Sequence, residues 1–222
     1  MKDHLVIEEN LTVDDINDIY YLIDQFGNWI DGSITYRGDD GVKKNKQIQF
    51  VDQFAYQKLS GIVYDRMDTH DNFHHFTLAK NSNRPMLSRT PTGGYYKPHL
   101  DEAGNGDFST TIYLNDDFEG GELCLWLNDK EIKIKPKAGK SVTYKTGTPH
   151  RVNEVTKGHR DAVVFWTFSQ LTDPFDMFMY QGLTEVCNRL KMGQYETLNE
   201  AQDDPAFIVH SLRESLLRKS SR

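Results

Sequence analysis

The feature that most constrains the fold is a run of short, strand-like segments between residues 86 and 169. Each segment is rich in Thr, Tyr, Ile and Val, and Gly, Pro, Asn or Asp residues separate it from the next. The predicted strands span residues 86–90, 109–115, 122–127, 131–136, 141–145, 150–155 and 160–169. Because no helical period lies between these strands, they predict an antiparallel sandwich or barrel.

Helical periodicity flanks the strand-rich region on both sides. The predicted helices span residues 13–26, 47–69, 174–190 and 205–217. Thr12 followed by Asp15 resembles a capping box, which marks the start of the first helix. A short strand is expected at residues 29–34, and a charged, glycine-containing loop is expected at residues 37–46.

The chain is therefore predicted to be mainly β with flanking helices, an α+β protein. We expect a single compact domain, because 222 residues lie within the size range of one large domain. Within it, residues 1–85 are predicted to form a helical support region, residues 86–170 the β core and residues 171–222 the C-terminal helices.

Composition excludes several classes of partner and site. The net charge of −7 gives no general attraction to nucleic acid or to an anionic membrane, so neither is expected as a partner. The sequence shows neither a signal peptide nor an apolar run of the ~18 residues that a membrane span requires, so we expect a cytoplasmic protein. The two cysteines, Cys124 and Cys187, cannot build a Cys-rich zinc site. Any bound metal must therefore be held by histidine and carboxylate.

One His-x-Asp motif and one distant histidine are candidates for such a site. His99 and Asp101 can both reach one metal ion, because residues i and i+2 of an extended chain point to the same face. His150 would complete the site from another strand. Two imidazoles and one carboxylate form the facial triad of non-haem Fe(II) oxygenases. The same three side chains can also hold Zn²⁺, and an isolated His-x-Asp can be an ordinary surface loop.

The last predicted strand carries an arginine where apolar residues are expected. Alternation places Arg160 on the same face as Ala162, Val164 and Trp166, so its guanidinium would be a buried cation without an anionic partner. A dicarboxylate cosubstrate would supply that partner, and the phenol of Tyr113 could bind the same carboxylate. Alternatively, Arg160 pairs with Asp161 or Glu154 at a strand end and Tyr113 is an ordinary core residue.

The order of motifs along the chain is specific. It runs through His-x-Asp (99–101), Tyr-Leu-Asn (113–115), Gly-Gly-Glu-Leu (120–123), Pro136, Ala-Gly (138–139), His-Arg-Val (150–152) and Gly-x-Arg (158–160). Upstream stand Trp-x-Asp-Gly (29–32) and Val-Lys-Lys-Asn-Lys-Gln (42–47). This order resembles the Fe(II)- and 2-oxoglutarate-dependent prolyl 4-hydroxylase superfamily, and within it the PKHD-type hydroxylase branch. The resemblance covers about residues 29–170 and implies a double-stranded β-helix (jelly-roll) core.

The resemblance implies a function and assigns roles to individual residues. The implied enzyme is a 2-oxoglutarate-dependent dioxygenase that uses Fe(II), 2-oxoglutarate and O₂ to hydroxylate a prolyl residue in a protein or peptide. Ascorbate is a candidate for an additional cofactor. The implied Fe(II) ligands are His99, Asp101 and His150; Arg160 and Tyr113 would bind 2-oxoglutarate; Tyr95, Tyr96 and Trp166 are candidates for substrate binding. Where the branch commonly has Asn-Arg-Tyr this chain has Ser88-Arg89-Thr90, so Tyr95 or Tyr96 would have to replace the missing tyrosine.

Several alternatives stay open at this point. The substrate could be a free amino acid or another small molecule, or the protein could be a zinc-binding or non-catalytic cupin-like barrel. An inactive descendant is a further alternative, against which the intact triad and Arg160 argue. The sequence does not predict the oligomeric state. His70, His74 and His75 are expected at a solvated helix end, and the basic residues 43–46 are expected in a solvated loop or a substrate-contacting lid.

Overall fold

The structure is a computed structural model that describes residues 3–35, 41–135 and 137–220. Its helices are α1 (Val13–Phe26), α2 (Gln53–Asp68), α3 (Asp71–Thr77), α4 (Pro174–Arg189), α5 (Leu198–Asp203) and α6 (Pro205–Ser220). Its strands are β1 (His4–Ile7), β2 (Ile30–Asp31), β3 (Lys43–Lys44), β4 (Lys46–Ile48), β5 (Ala79–Ser82), β6 (Met86–Pro91), β7 (Tyr95–His99), β8 (Phe108–Tyr113), β9 (Glu119–Gly120), β10 (Leu123–Leu127), β11 (Lys130–Ile134), β12 (Ser141–Lys145), β13 (His150–Val152), β14 (Val155–Lys157) and β15 (His159–Ser169).

Two antiparallel sheets pack against each other. The large sheet has the strand order β1-β12-β8-β15-β6-β4-β2, with β5 also paired to β15, and the small sheet has the order β11-β10-β13-β7-β3. Buried Tyr113, Val142 and Tyr144 of the large sheet form one apolar cluster with Leu123 and Leu125 of the small sheet. This arrangement confirms the predicted antiparallel β core and the jelly-roll fold class.

The N-terminal helices cover the opposite face of the large sheet. Ile19 of α1 and Leu59 of α2 belong to the same buried cluster as Val163 and Phe165 of β15. The strand β15 therefore turns its odd-numbered residues toward the helices and leaves Arg160, Val164 and Trp166 for the space between the sheets.

Helix starts follow from local side-chain chemistry. The predicted capping box of α1 is present, since the Thr12 hydroxyl accepts from the Asp15 backbone N–H and the Asp15 carboxylate accepts from the Thr12 backbone N–H. The second helix begins later than predicted, because Asp52 caps it by accepting a hydrogen bond of 2.9 Å from the Ala55 backbone N–H. Residues 47 and 48, predicted to be helical, instead belong to β4, which pairs with β6.

The other differences from the predicted elements are local. The strand expected at 29–34 is limited to Ile30–Asp31, and Gly32–Thr35 form one 3₁₀ turn. In the expected loop at 37–46, residues 37–40 lie outside the described residues, and Lys43–Lys44 form β3. The strand expected at 131–136 ends at Ile134, and Pro136 is outside the described part.

The C-terminal helices pack on one another beside the large sheet. Met177 and Tyr180 of α4 join the buried cluster that contains Phe108 of β8. The Lys219 ammonium of α6 lies 2.8 Å from the buried Asp176 carboxylate of α4, which ties the two helices together. None of the helices in the described part of the chain is long and apolar enough to cross a membrane.

The first 85 residues supply strands as well as helices. Strands β1 to β5 precede residue 86, and they join both sheets. The division of the chain into a support region, a β core and C-terminal helices stays a prediction.

Candidate active site

The structure brings the three predicted metal-binding side chains together. His99 is the last residue of β7 and His150 the first residue of β13, and the two are direct partners in the register of these strands. Asp101 follows two residues after His99. One ligand atom from each side chain lies within 4.8 Å of the others, and this is the one such group of histidine, cysteine or acidic residues in the described chain.

Backbone carbonyls orient both imidazoles. His99 Nδ1 lies 2.8 Å from the carbonyl oxygen of Lys97, and His150 Nδ1 lies 2.9 Å from that of Thr148. Because a carbonyl oxygen can only accept, Nδ1 carries the proton in each neutral ring. The lone pair is therefore on Nε2, which in each ring lies 3.7 Å from Asp101 Oδ1. Such backbone hydrogen bonds fix the tautomer of metal-binding histidines.

The Asp101 carboxylate is held from the other side. Its Oδ2 accepts hydrogen bonds from Ser109 Oγ at 2.8 Å and from Trp166 Nε1 at 2.9 Å, which leaves Oδ1 facing the two imidazoles. Burial alone would raise the pKa of Asp101, but the interactions with His99, His150, Trp166 and Ser109 outweigh burial and lower it to about 2. The carboxylate is therefore ionised throughout the physiological range.

The imidazoles sit among aromatic rings. The Tyr96 ring stacks on His99 with the ring centroids 3.4 Å apart, and the Tyr144 ring meets His150 edge-on at 5.1 Å. Burial lowers the pKa of His150, although the charge of Asp101 opposes this shift. A lowered pKa keeps the His150 lone pair available for a metal ion at neutral pH.

The triad opens into a cavity of about 600 Å³ between the two sheets. Arg160 lies on the cavity wall with only 3% of its surface exposed, and its Nε has no hydrogen-bond partner among the described residues. The guanidinium carbon lies 4.7 Å from the centroid of the Tyr113 ring, and the buried Tyr113 hydroxyl likewise lacks a partner in the described chain. A buried cation beside an unpaired phenol is the arrangement expected before a carboxylate binds.

The alternative pairing of Arg160 with its neighbour is absent from the described residues. Asp161 points to the other side of β15, where its carboxylate accepts two hydrogen bonds from Arg89 at 2.7 and 2.6 Å. Arg89 also stacks on Trp29 at 4.5 Å, and the Tyr20 hydroxyl donates to Asp161. Arg89 thus completes a structural ion pair, and Arg160 is left for the cavity.

The sequence did not identify Tyr144, which is also part of this site. Its side chain lines the cavity, and burial raises its pKa well above the usual value, as do the charges of Asp101 and Tyr113, whereas Arg160 lowers it. A signal for Tyr144 was present in the sequence of β12. Side chains alternate along this strand, so Tyr144 lies on the same side of it as Val142. Its proximity to His150 depends on the packing of the two sheets, which the sequence does not specify.

The three candidate substrate residues have different positions. Tyr96 lines the cavity. Tyr95 is not among the lining residues, and its hydroxyl donates to the backbone carbonyl of Gly41. Trp166 lines the cavity, but its indole N–H is bound to Asp101. Of the two tyrosines that could replace the missing one, the structure therefore brings only Tyr96 to the site.

The segment of residues 43–48 closes one side of the cavity by passing from one sheet to the other. Its strand β3 pairs with β7 in the small sheet, and β4 pairs with β6 in the large sheet. Between them, Asn45 is buried, and its Nδ2 donates to Ser88 Oγ at 2.9 Å. A Cβ atom at Gly32 would lie 1.8 Å from Asn45 Oδ1, which explains why a glycine is needed there. The two upstream motifs, residues 29–32 and 42–47, thus contribute to one wall of the cavity. The side chains of this wall that line the cavity include Lys43, Asn45 and Gln47.

The remaining histidines and cysteines lie elsewhere. His70 precedes the short helix α3, and His74 and His75 lie in its last turn, where His74 pairs with Asp68 at 3.6 Å. Cys124 is buried, Cys187 is partly buried, and both are free thiols.

The chain matches known proteins in sequence. The model of the 2OG-Fe(II) oxygenase superfamily matches residues 85–168. A PKHD-type hydroxylase from Maricaulis maris is 35% identical over 158 residues, which are 67% of this chain and 70% of the relative. A PKHD-type hydroxylase from Sphingopyxis alaskensis is 30% identical over 183 residues, which are 78% of this chain and 82% of the relative.

Solved structures share the fold. A prolyl-4-hydroxylase from Pseudomonas putida superposes with a TM-score of 0.59 at 20% identity, covering 75% of this chain and 92% of that one. A prolyl hydroxylase from Trichoplax adhaerens, solved in complex with a peptide fragment of the hypoxia inducible factor oxygen degradation domain, gives 0.60 at 19% identity and covers 76% and 84%. These matches confirm the double-stranded β-helix. The family model and the sequence relatives show that the chain belongs to the 2OG-Fe(II) oxygenase superfamily and, within it, to the PKHD-type hydroxylases.

Proposed function

We propose that this 2-oxoglutarate-dependent dioxygenase hydroxylates a prolyl residue in a protein or peptide. In this proposal His99, Asp101 and His150 hold Fe(II), and Arg160, assisted by Tyr113, binds the distal carboxylate of 2-oxoglutarate. The observation that carries these assignments is that three of the buried polar atoms without partners in the described chain belong to the predicted site residues: His99 Nε2, Arg160 Nε and the Tyr113 hydroxyl. Leaving such groups unpaired is costly, so each is matched to a ligand that folding does not supply.

The donor set fits the two groups that the family uses. Two imidazole Nε2 atoms and one carboxylate oxygen are ligands suited to Fe(II) and leave open positions. A carboxylate only accepts hydrogen bonds, so it matches the guanidinium of Arg160 and the hydroxyl of Tyr113, which both donate. No other anion among the described residues competes for Arg160, because Asp161 is bound to Arg89.

The residues of the chain prepare the site for an oxidation that its cofactors carry out. When bound, Fe(II), 2-oxoglutarate and O₂ supply the chemistry: one oxygen atom enters the substrate as a hydroxyl group, the other enters succinate, and CO₂ is released. Ser109 and Trp166 keep the Asp101 carboxylate ionised and aimed at the metal position. The carbonyls of Lys97 and Thr148 keep Nε2 of both imidazoles free of protons. Arg160 neutralises the distal carboxylate of the cosubstrate in a buried environment of low dielectric constant.

The prolyl substrate is supported by the relatives and by the cavity. The relatives in sequence are named PKHD-type hydroxylases, and the P. putida and T. adhaerens structures are prolyl hydroxylases, the latter with a bound peptide. Beyond the triad, the lining of the cavity of about 600 Å³ includes apolar side chains and several polar ones, namely Thr35, Asn45, Gln47, Ser88 and Thr90. Such a wall offers hydrogen bonds to a peptide backbone. A cytoplasmic location and a supporting role of ascorbate stay predictions.

A screen with matched peptides tests the substrate class. Fe(II)-loaded protein is incubated in air with 2-oxoglutarate and peptides that contain one proline, and with the same peptides carrying alanine in its place. We expect the proline peptides to stimulate succinate release and to gain one oxygen atom at proline, as read by fragment mass spectrometry. The His150→Ala variant serves as the control without a complete triad. Stimulation by free amino acids alone would instead support the small-molecule alternative.

A further inference from the structure

A lysine stands next to the triad on the substrate side of the cavity. Lys43 lies on β3 and pairs with Tyr96 of β7, and its side chain lines the cavity. Its ammonium lies 4.8 Å from the centroid of the Tyr96 ring, and that ring stacks on His99. The Tyr96 ring therefore contacts both the Lys43 ammonium and the His99 imidazole.

The partners of this ammonium within the described chain are neutral. Lys43 Nζ donates to Thr35 Oγ1 at 2.9 Å, and Thr35 in turn donates to the Gly32 carbonyl or to Gln47 Oε1. No ion pair among the described residues includes Lys43. An ammonium group has three donors, so the Thr35 contact leaves two N–H groups available. Burial lowers the pKa of Lys43 to about 8, and the charge of Asp101 opposes this shift.

The other charges of the cavity wall leave Lys43 without an assigned counterion. The wall carries three cations, Lys43, Arg84 and Arg160, and two anions, Asp101 and Glu102. Arg160 is assigned to the cosubstrate, Asp101 belongs to the triad, and both Arg84 and Glu102 are exposed. Arg84 stacks on Tyr56 at 3.8 Å, and no ion pair in the described chain includes it. Lys43 belongs to the small sheet, and Arg84 lies two residues before the start of β6 in the large sheet. Among the cations that line the cavity, Lys43 is thus partly buried and is matched neither to the cosubstrate nor to an ion pair within the described residues, which favours an anionic ligand beside it.

We propose that Lys43 is the residue that recognises a carboxylate of the substrate, so that the preferred substrate is an acidic peptide. The inference rests on the proposed function and narrows its substrate class. An extended peptide advances about 3.3–3.6 Å per residue, so an acidic side chain one or two residues from the target residue reaches Lys43. The substrate carboxylate replaces the water that the Lys43 ammonium loses on burial. Tyr96 and Thr35 hold this ammonium in place.

Peptide binding provides a test that does not depend on turnover. Peptides with one proline are prepared with glutamate, glutamine or lysine at the flanking positions, and a parallel set carries alanine in place of proline. Their affinities for the full-length protein, loaded with Mn(II) and 2-oxoglutarate, are measured by fluorescence anisotropy. We expect the glutamate peptide to bind about tenfold more tightly than the glutamine peptide, as a partly desolvated charge pair predicts.

Substitutions at Lys43 assign the preference to this residue. Lys43→Gln should remove the difference between glutamate and glutamine peptides, Lys43→Arg should keep it, and Lys43→Glu should favour the lysine peptide. Lys44→Gln is the matched control, because it removes the same charge from the exposed neighbour on the same strand. The affinity for 2-oxoglutarate without peptide should be unchanged in Lys43→Gln.

Each contrary result has a defined meaning. Equal binding of glutamate and glutamine peptides, a preference that survives Lys43→Gln, or no binding of any acidic peptide overturns the inference. A loss of 2-oxoglutarate affinity in Lys43→Gln also overturns it, since the lysine would then serve the cosubstrate. Hydroxylation of proline without a charge preference would leave the proposed function standing and reject Lys43 alone. A Lys43-dependent preference for glutamate peptides without any hydroxylation of proline would keep the role of Lys43 in binding and reject the proposed function.

Discussion

The indole of Trp166 should control metal affinity through Asp101. Trp166→Phe removes the hydrogen bond of 2.9 Å to Oδ2 and leaves Ser109 as the neutral donor to that oxygen. Hydrogen bonds to charged groups contribute about 1.5–3 kcal/mol, and about 1.4 kcal/mol corresponds to a factor of ten. Partners that orient metal ligands typically change metal affinity by about 10–100-fold. We therefore expect Trp166→Phe to weaken metal binding by about 10–100-fold.

The assay is a competition between the protein and a chromophoric chelator for Mn(II) at fixed pH. Trp126→Phe is the matched control, since Trp126 is 51% exposed on β10 and does not line the cavity. Thermal unfolding of both metal-free variants separates a local effect from a loss of stability. The reasoning would be refuted if Trp166→Phe bound Mn(II) as tightly as Trp126→Phe does, because the indole would then not orient the carboxylate.

Three further predictions concern stability, pH and backbone packing. Arg89→Ala leaves the 1%-exposed Asp161 without its bidentate partner and should lower the free energy of unfolding by about 3–5 kcal/mol in urea titrations, whereas a loss below about 1 kcal/mol would contradict the assigned ion pair. Metal affinity, followed by chelator competition from pH 8 to pH 5, should fall on the acid side as His150 takes up a proton. Because burial lowers the pKa of His150, this ring loses its lone pair only below its usual range, and Asp101 stays ionised throughout. Gly32→Ala should destabilise the protein by about 1–3 kcal/mol through the clash with Asn45, while Gly61→Ala, where a Cβ meets open space, should not; equal stability of the two variants would contradict the packing argument.

Local patterns were sufficient to predict much of the fold. The capping box at Thr12, the proline at the start of α4 and the alternation along β15 each act through neighbours in sequence, and the structure shows all three. The late start of α2 was missed because the apolar spacing of residues 47–52 fits both a helix and an extended chain; in the structure β4 ends at Ile48 and α2 begins at Gln53. The strand β7 was missed because Pro98 interrupts it, although its pairing with β3 ends before that residue.

The site was predictable where its residues follow motifs, and less so where they meet through tertiary packing. His99, Asp101 and His150 were identified by spacing and by the resemblance to a family. Three other contacts depend on which strands are neighbours in the sheets. They join Tyr144 to His150, Trp166 to Asp101, and Lys43 to Tyr96. The sequence does not specify these pairings between distant segments, since several strand orders satisfy the same alternation.

The central claim is that one cavity binds Fe(II) through the triad and 2-oxoglutarate through Arg160. An anaerobic titration of the Fe(II)-loaded protein with 2-oxoglutarate, followed by its weak metal-to-ligand charge-transfer absorption, measures both together. Truncating one partner of a buried charge pair costs about 2–5 kcal/mol, so Arg160→Ala should weaken 2-oxoglutarate binding at least about thirtyfold, while the exposed control Arg189→Ala should bind as wild type does. An unaltered titration in Arg160→Ala, or an undiminished band in His150→Ala, would contradict the account.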